Sequence, residues 1–241
     1  MATIEQFRNH FANHNKKTLK QRLDGNDPVE MWMLDNINRA GIMYLGQRYH
    51  GWVFCGVTED RVNKKDIKCK LPDGKWLYAQ MKWRQPGAFG NDCLASVIQP
   101  WPGKKDAIEV IKTGTLEYKA KHFWARDYVF KGHLYLSLSQ DWDRFRVLDY
   151  RKSIKPRIDK LLKEFLKSGD DLTDRNRTYC SSWNPKFQLK WVRDAGKGSY
   201  DSGLQKLVCY IPASEWEPGE CTIIEMSDPS DEYIKMLGVK K

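Results

Sequence analysis

Alternation of apolar and polar side chains is clearest over residues 66–84, which read DIKCKLPDGKWLYAQMKWR. Ile67, Cys69 and Leu71 alternate with polar residues up to Asp73-Gly74, and Trp76, Tyr78, Gln80 and Lys82 then alternate with Leu77, Ala79, Met81 and Trp83. Period two sends successive side chains to opposite faces of a strand. Pro-Asp-Gly between two such runs supplies a preset turn residue and a glycine that accepts positive φ. The pattern predicts a β-hairpin whose second strand buries Met81 and Trp83 on one face and projects Gln80 and Lys82 from the other. Asp66 opens the neighbouring strand and reaches the side of Gln80 and Lys82.

Helical periodicity brackets this hairpin. Residues 3–23 read as a basic amphipathic helix with Ile4, Phe7, Phe11, Leu19 and Leu23 as apolar contacts. A second helix has Asp27 as its N-cap, Pro28 at the first helical position and Glu30 three residues after the cap. Met33, Leu34, Ile37 and Ala40 form its inward stripe, and Gly41 ends it. Residues 49–57 read as a strand, residues 91–99 as a short helix, and residues 115–130 as a half-exposed strand with aromatics between charges. Residues 133–139 and 144–149 predict two further strands around the turn Gln140-Asp141-Trp142-Asp143. Residues 151–167 form the clearest later helix. Ile154, Ile158, Leu161, Leu162 and Phe165 share one side, while Lys152, Lys155, Arg157, Lys160, Lys163 and Lys167, offset by Asp159 and Glu164, make the other side basic. Beyond the polar stretch 168–178, KFQLKWVRD and QKLVCYIP predict two strands joined by AGKGSYDSG, and the tail closes with a short helix. GKGS lacks the spacing and the following helix of a Walker A loop. The division this suggests is an N-terminal basic helix (1–26), a core (27–168) and a β-rich extension (169–241).

Composition narrows the setting. The 241 residues include ten Trp and are 41% hydrophobic, enough for a sizeable core in one elaborated domain or a domain with an appendage. A formal charge of +10 implies either a polyanionic partner, nucleic acid before an anionic membrane surface, or merely a basic surface. No stretch approaches the ~20 apolar residues of a membrane span, and no apolar leader opens the chain. Six cysteines without a CxxC pair argue against a zinc ribbon, so free thiols in a reducing cytoplasm are expected.

A carboxylate, an amide and an ammonium on adjacent strands can hold a divalent metal beside a phosphate. Asp66, followed by Gln80-Met81-Lys82 at the end of the next strand, resembles the catalytic hairpin of the PD-(D/E)XK nuclease superfamily. The match is to the variant with Gln at the last acidic position, as in Mrr-like restriction endonucleases. It spans roughly residues 27–100; Lys65 stands where the family has Pro, and Gln80 brings no charge. The family hairpin follows a helix carrying a Glu, a position Glu30 matches, although a capping box explains Glu30 equally well.

The resemblance implies an α/β fold: a restriction-endonuclease-like mixed sheet flanked by helices, here with additional C-terminal strands. It implies a metal-dependent endonuclease with Mg2+, or Mn2+, held by Asp66, Glu30, Gln80 and the Met81 carbonyl. Lys82 would join Asp66, Gln80 and Glu30 as catalytic residues by holding a phosphate oxygen and the attacking water. Eight basic side chains face two acidic ones over residues 61–84, a balance of +6. Lys64, Lys65, Lys68 and Arg84 are accordingly expected to contact nucleic acid, DNA before RNA, with a homodimer left open. Two alternatives remain. The polar hairpin residues could simply face solvent in a non-catalytic nucleic-acid-binding or structural interaction protein, and the Asp141/Asp143 turn is a rival metal site.

Overall fold

The computed structural model describes residues 3–13, 28–56, 65–82, 93–100, 123–125, 132–139, 141–170, 178–193, 205–212 and 221–236. In chain order its elements begin with α1 (Ile4–Asn13), α2 (Pro28–Ala40), β1 (Ile42–Tyr44), β2 (Gln47–Tyr49), β3 (Val53–Phe54), β4 (Ile67–Lys70) and β5 (Trp76–Lys82). There follow β6 (Cys93–Pro100), β7 (Phe123–Ala125), β8 (Leu134–Leu138) and β9 (Arg144–Asp149). A single π-type turn, Tyr150–Ile154, then runs into α3 (Lys155–Ser168). The last elements are β10 (Thr178–Cys180), β11 (Gln188–Arg193), β12 (Gln205–Pro212), β13 (Cys221–Glu225) and α4 (Asp231–Met236). Among the described residues no helix is long and apolar enough to cross a membrane.

The chain forms two compact units interleaved in sequence. One contains Met1–Asp92, Gly132–Asp149 and Glu217–Lys241; the other contains Cys93–Lys131 and Tyr150–Trp216. Contacts therefore group the residues differently from the contiguous 1–26, 27–168 and 169–241 division suggested by composition.

The first unit is built on a six-stranded sheet of order β13-β9-β8-β5-β4-β3. Its β5–β8 pair is parallel and the others are antiparallel, so this α/β unit has a mixed sheet. Alternation within the strands separates two faces. Ile67, Leu77, Ala79, Leu134, Leu136, Phe145 and Val147 point to one of them and form a single core with Val29, Trp32, Met33 and Ile37 of α2. Phe7 of α1 completes it edge-on, with ring centroids 5.4 Å from Trp32 and 6.1 Å from Trp142.

Polar bonds fix α2 at both ends of this packing. The Trp32 indole donates to the Ser227 carbonyl at 2.9 Å, and the Asn36 amide oxygen accepts the Ser227 N–H at 2.8 Å. At the other end Asn38 exchanges two bonds with the Trp52 backbone, at 2.9 and 2.7 Å. Gly41 stops the helix at φ +69°, where Arg48 and His50 close over it. A Cβ there would stand 2.6 Å from His50 Cε1 and 2.7 Å from Arg48 Cγ. Gly41→Ala should therefore lower unfolding free energy by about 1–3 kcal/mol in a urea titration, combining left-handed strain with the clash. An unchanged midpoint and slope would refute that account.

The second unit carries an antiparallel sheet of order β10-β11-β12-β6-β7, together with α3. Ile154, Ile158, Leu161, Leu162 and Phe165 are buried as the helical stripe predicted. Pro156 fits the first turn of α3, and Gly169 at φ +73° ends it. Burial pushes the Cys209 thiol up to about 12, which keeps this β12 side chain protonated as a small core residue.

Several sequence expectations need correction. Residues 49–57 are not one strand, because Gly51 takes φ +77° and separates the end of β2 from the short β3. Residues 93–100 form a strand rather than a helix. Six paired positions with β12, from Leu207↔Ile98 to Pro212↔Cys93, outweigh local preference. The β13 strand was not anticipated. Of the predicted helix 3–23 only Ile4–Asn13 is described, and of the predicted strand 115–130 only Phe123–Ala125.

Candidate active site at the end of the hairpin

The hairpin forms as its sequence dictates. β4 and β5 pair from Ile67↔Ala79 to Lys70↔Trp76. The Leu71 N–H donates to the Lys75 carbonyl at 2.8 Å, and Gly74 adopts φ +82°. Asp73 accepts the Lys75 N–H at 3.0 Å and its ammonium at 2.9 Å, and that side-chain bond is the first cause holding the exposed carboxyl below its ordinary value.

Asp66 lies just before β4, tied to strands on both sides. Its carbonyl accepts the Cys55 N–H at 2.9 Å, and its own N–H donates to the Ala79 carbonyl at 3.0 Å. Its carboxylate accepts the Met81 N–H at 2.7 Å. A strand residue directs its N–H and C=O toward the same neighbouring strand, so the Met81 carbonyl lies on the Asp66 side of β5. The Met81 side chain, 6% exposed, belongs to the core.

Gln80 occupies the face opposite Ala79 and Met81. It is 2% exposed, and its Oε1 is buried without a hydrogen-bond partner. This corrects the solvent-facing alternative at that position: burial shields the Gln80 side chain from bulk solvent. A buried acceptor left unmade costs about 1–3 kcal/mol, so the position asks for a donor or a cation. Lys82, half-buried, ends β5 two residues later on the Gln80 face.

Neighbouring strands extend this polar face. In the parallel pairing Gln80 stands beside Tyr135 and Lys82 beside Ser137; Ser137 in turn pairs with Arg146 of β9. Tyr135, Ser137 and Arg146 were not among the sequence-derived candidates. The available signal was the alternation Leu134-Tyr135-Leu136-Ser137-Leu138, which turns a tyrosine and a serine away from the helix-covered face.

The remaining candidates divide three ways. Lys65 Nζ lies 3.6 Å from the centre of the Tyr78 ring, and Lys68 Nζ lies 4.9 Å from that of Trp76. Both cations are thus held on hairpin aromatics, an arrangement that keeps their charge at the surface. Lys64 and Arg84 lie outside the described residues. Glu30 occupies the first turn of α2. The bonds from Trp32 and Asn36 anchor that half of the helix to Ser227, just past β13, the edge strand opposite β3. The capping partner Asp27 is outside the described residues.

The rival acidic turn has other occupations. Asp143 accepts from the Arg144 guanidinium at 2.8 Å and from the Ser139 hydroxyl at 2.5 Å, and the Arg144 bond is the first cause holding its carboxyl below the ordinary value. Asp141 pairs with Arg8 at 3.4 Å. Trp142 between them is buried at φ +61°, so the turn serves the core.

Among the described residues no three His, Cys, Asp or Glu side chains gather in a metal-holding group. The hairpin end offers a different donor set: one carboxylate oxygen system, an orphaned amide oxygen and a backbone carbonyl. These are hard oxygen donors, the type that suits Mg2+ and Mn2+. No protein-family model, curated protein or solved structure matches the chain.

Proposed function

We propose that the chain is a metal-dependent nuclease that hydrolyses phosphodiester bonds, with DNA as its substrate and a restriction-endonuclease-like core. The observation that carries this reading is the buried, unpartnered Gln80 Oε1 on the strand that Asp66 grips through the Met81 N–H. The mixed sheet, with a helix preceding the hairpin and a parallel strand beside it, supports the same reading.

In this proposal Asp66, Gln80 and the Met81 carbonyl hold Mg2+ or Mn2+, without Glu30, whose helix covers the sheet face opposite Gln80. The bound ion would supply Lewis acidity, acidifying a water and offsetting charge that develops on the phosphate. Lys82 donates to a phosphate oxygen and orients the attacking water. The Asp66 carboxylate has a second task in holding the β5 backbone, so the donors stay in register while substrate binds. Lys65 and Lys68 attract the backbone of the nucleic acid.

The scarcity of carboxylates favours one alternative, a nucleic-acid-binding protein without catalysis. Incubating the full chain with supercoiled and linear DNA at low salt, with Mg2+, Mn2+ or EDTA, separates the two. Nicking or linearisation that needs metal and stops with EDTA is expected. Intact DNA with either metal, or cleavage indifferent to EDTA, would overturn the proposal.

A further inference from the structure

The second unit holds a groove of about 730 Å³ between α3 and the segment Ser182–Trp183. Lys160, Lys163 and Lys167 are spaced i, i+3 and i+7, so they line one helical face. All three are exposed, and among the described residues none makes an ion pair with an acid. The two acids in the groove are already engaged. Asp159 binds Lys155 at 2.6 Å, and Glu164 accepts the Ser182 N–H at 2.5 Å while also attracting the Lys160 charge, so Lys163 and Lys167 are the least compensated of the three. The groove therefore presents a net positive wall rather than a set of closed pairs.

An aromatic side chain forms the opposite wall. The Lys160 ammonium sits 4.1 Å from the centre of the Trp183 ring, and Phe187 packs against that ring with centroids 4.3 Å apart. The Trp183 Nε1–H is buried and makes no hydrogen bond. The ring packs against Phe187 and Lys160 without the polar anchor that a tryptophan N–H ordinarily finds.

We infer that this groove binds single-stranded nucleic acid, with phosphates along Lys160, Lys163 and Lys167 and an unpaired base against Trp183. A phosphate that draws Lys160 off the indole uncovers the ring face for that base. Base–aromatic stacking beside a cationic track is how single strands are held without sequence reading. A duplex keeps its bases stacked within the helix and offers no such partner to Trp183. From Lys155 to Lys167 the helix rises about 18 Å, long enough to follow a short oligonucleotide. The site is independent of the hairpin's chemistry and would operate whether or not the hairpin cleaves.

Anisotropy of a fluorescein-labelled oligo-dT, titrated with the full chain in EDTA, tests the groove without cleavage. The triple variant Lys160→Ala/Lys163→Ala/Lys167→Ala should bind at least tenfold more weakly at low salt. Its slope of log affinity against log salt should flatten by about 2, the value for three lost single-strand phosphate contacts. Trp183→Leu should weaken binding roughly tenfold, within the range for one stacked base, and leave the salt slope unchanged. Urea unfolding of each variant confirms the fold, and the milder Lys163→Gln/Lys167→Gln pair gives the same direction if the triple variant is unstable. Wild-type affinity in folded groove variants would overturn the inference. So would equal affinity for a duplex with no effect of Trp183→Leu, or binding to phosphatidylserine vesicles without binding to the oligonucleotide. Failure of the nuclease reading leaves these results standing, because every titration is made without metal.

Discussion

Asp66→Asn is expected to reduce metal-dependent DNA cleavage on the order of a thousandfold while leaving the hairpin folded. The amide keeps an oxygen that can accept the Met81 N–H, which the carboxylate now accepts at 2.7 Å. What disappears is the negative charge, and with it several kcal/mol of metal-derived stabilisation of the transition state. The variant should unfold within about 1 kcal/mol of wild type in urea and bind DNA in EDTA at least as tightly, since a charge that repels phosphate is gone. Lys82→Ala should lose cleavage in the same assay, with affinity reduced slightly if at all. Full activity in a folded Asp66→Asn protein would remove the proposed catalytic centre.

Gln80→Glu should make the protein's stability depend on metal. The position is 2% exposed, so in EDTA the new carboxylate has neither water nor an assured partner. An uncompensated buried charge destabilises by about 3–5 kcal/mol, unless the group stays protonated. Its folded pKa would then lie above the unfolded value, and stability in EDTA should fall as pH rises from the unfolded value through the folded one. With Mn2+ in hundredfold excess over its dissociation constant, binding restores about 2.7 kcal/mol. Gln80→Leu makes the complementary case. It removes the orphaned acceptor, so stability in EDTA should be retained or improved, while cleavage falls for want of an oxygen. Thermal unfolding with and without Mn2+, joined to calorimetric Mn2+ titration, reads both effects. Equal Mn2+ affinity in wild type and Gln80→Glu would mean that residue 80 does not meet the ion.

The hairpin and α3 were legible because their signals are local. Asp73-Gly74 sits between two alternating runs, and a 3.6-residue stripe runs from Ile154 to Phe165, so neighbours in sequence decide both elements. The partners of β5 were not legible. That Gln80 stands beside Tyr135 depends on a parallel pairing across more than fifty residues, and no periodicity within β5 reports it. The sequence therefore left open whether Gln80 faced a metal or solvent, whereas its side chain is buried. Trp142 was hidden for another reason. In a turn between two aspartates it carries the marks of a surface residue, yet a left-handed backbone tips its indole into the core against Phe7 and Trp32. Residues 93–100 misled in the same way, since an edge-to-edge ladder with β12 overrides what eight residues prefer alone.

The parallel β5–β8 contact also sets the order in which the chain can fold during synthesis. When Lys82 leaves the ribosome, β5 has only β4 beside it, because Leu134–Leu138 are still untranslated. The chain must emit β6 and β7 of the other unit before β8 arrives, and β13 follows only after β12. Sheet closure in the first unit thus waits for nearly the whole polypeptide, and its long-range pairings place it among slow-folding topologies. Until β8 arrives the free edge of β5 is open to other nascent chains, an interval in which chaperone occupancy would matter more than the stability of the finished sheet.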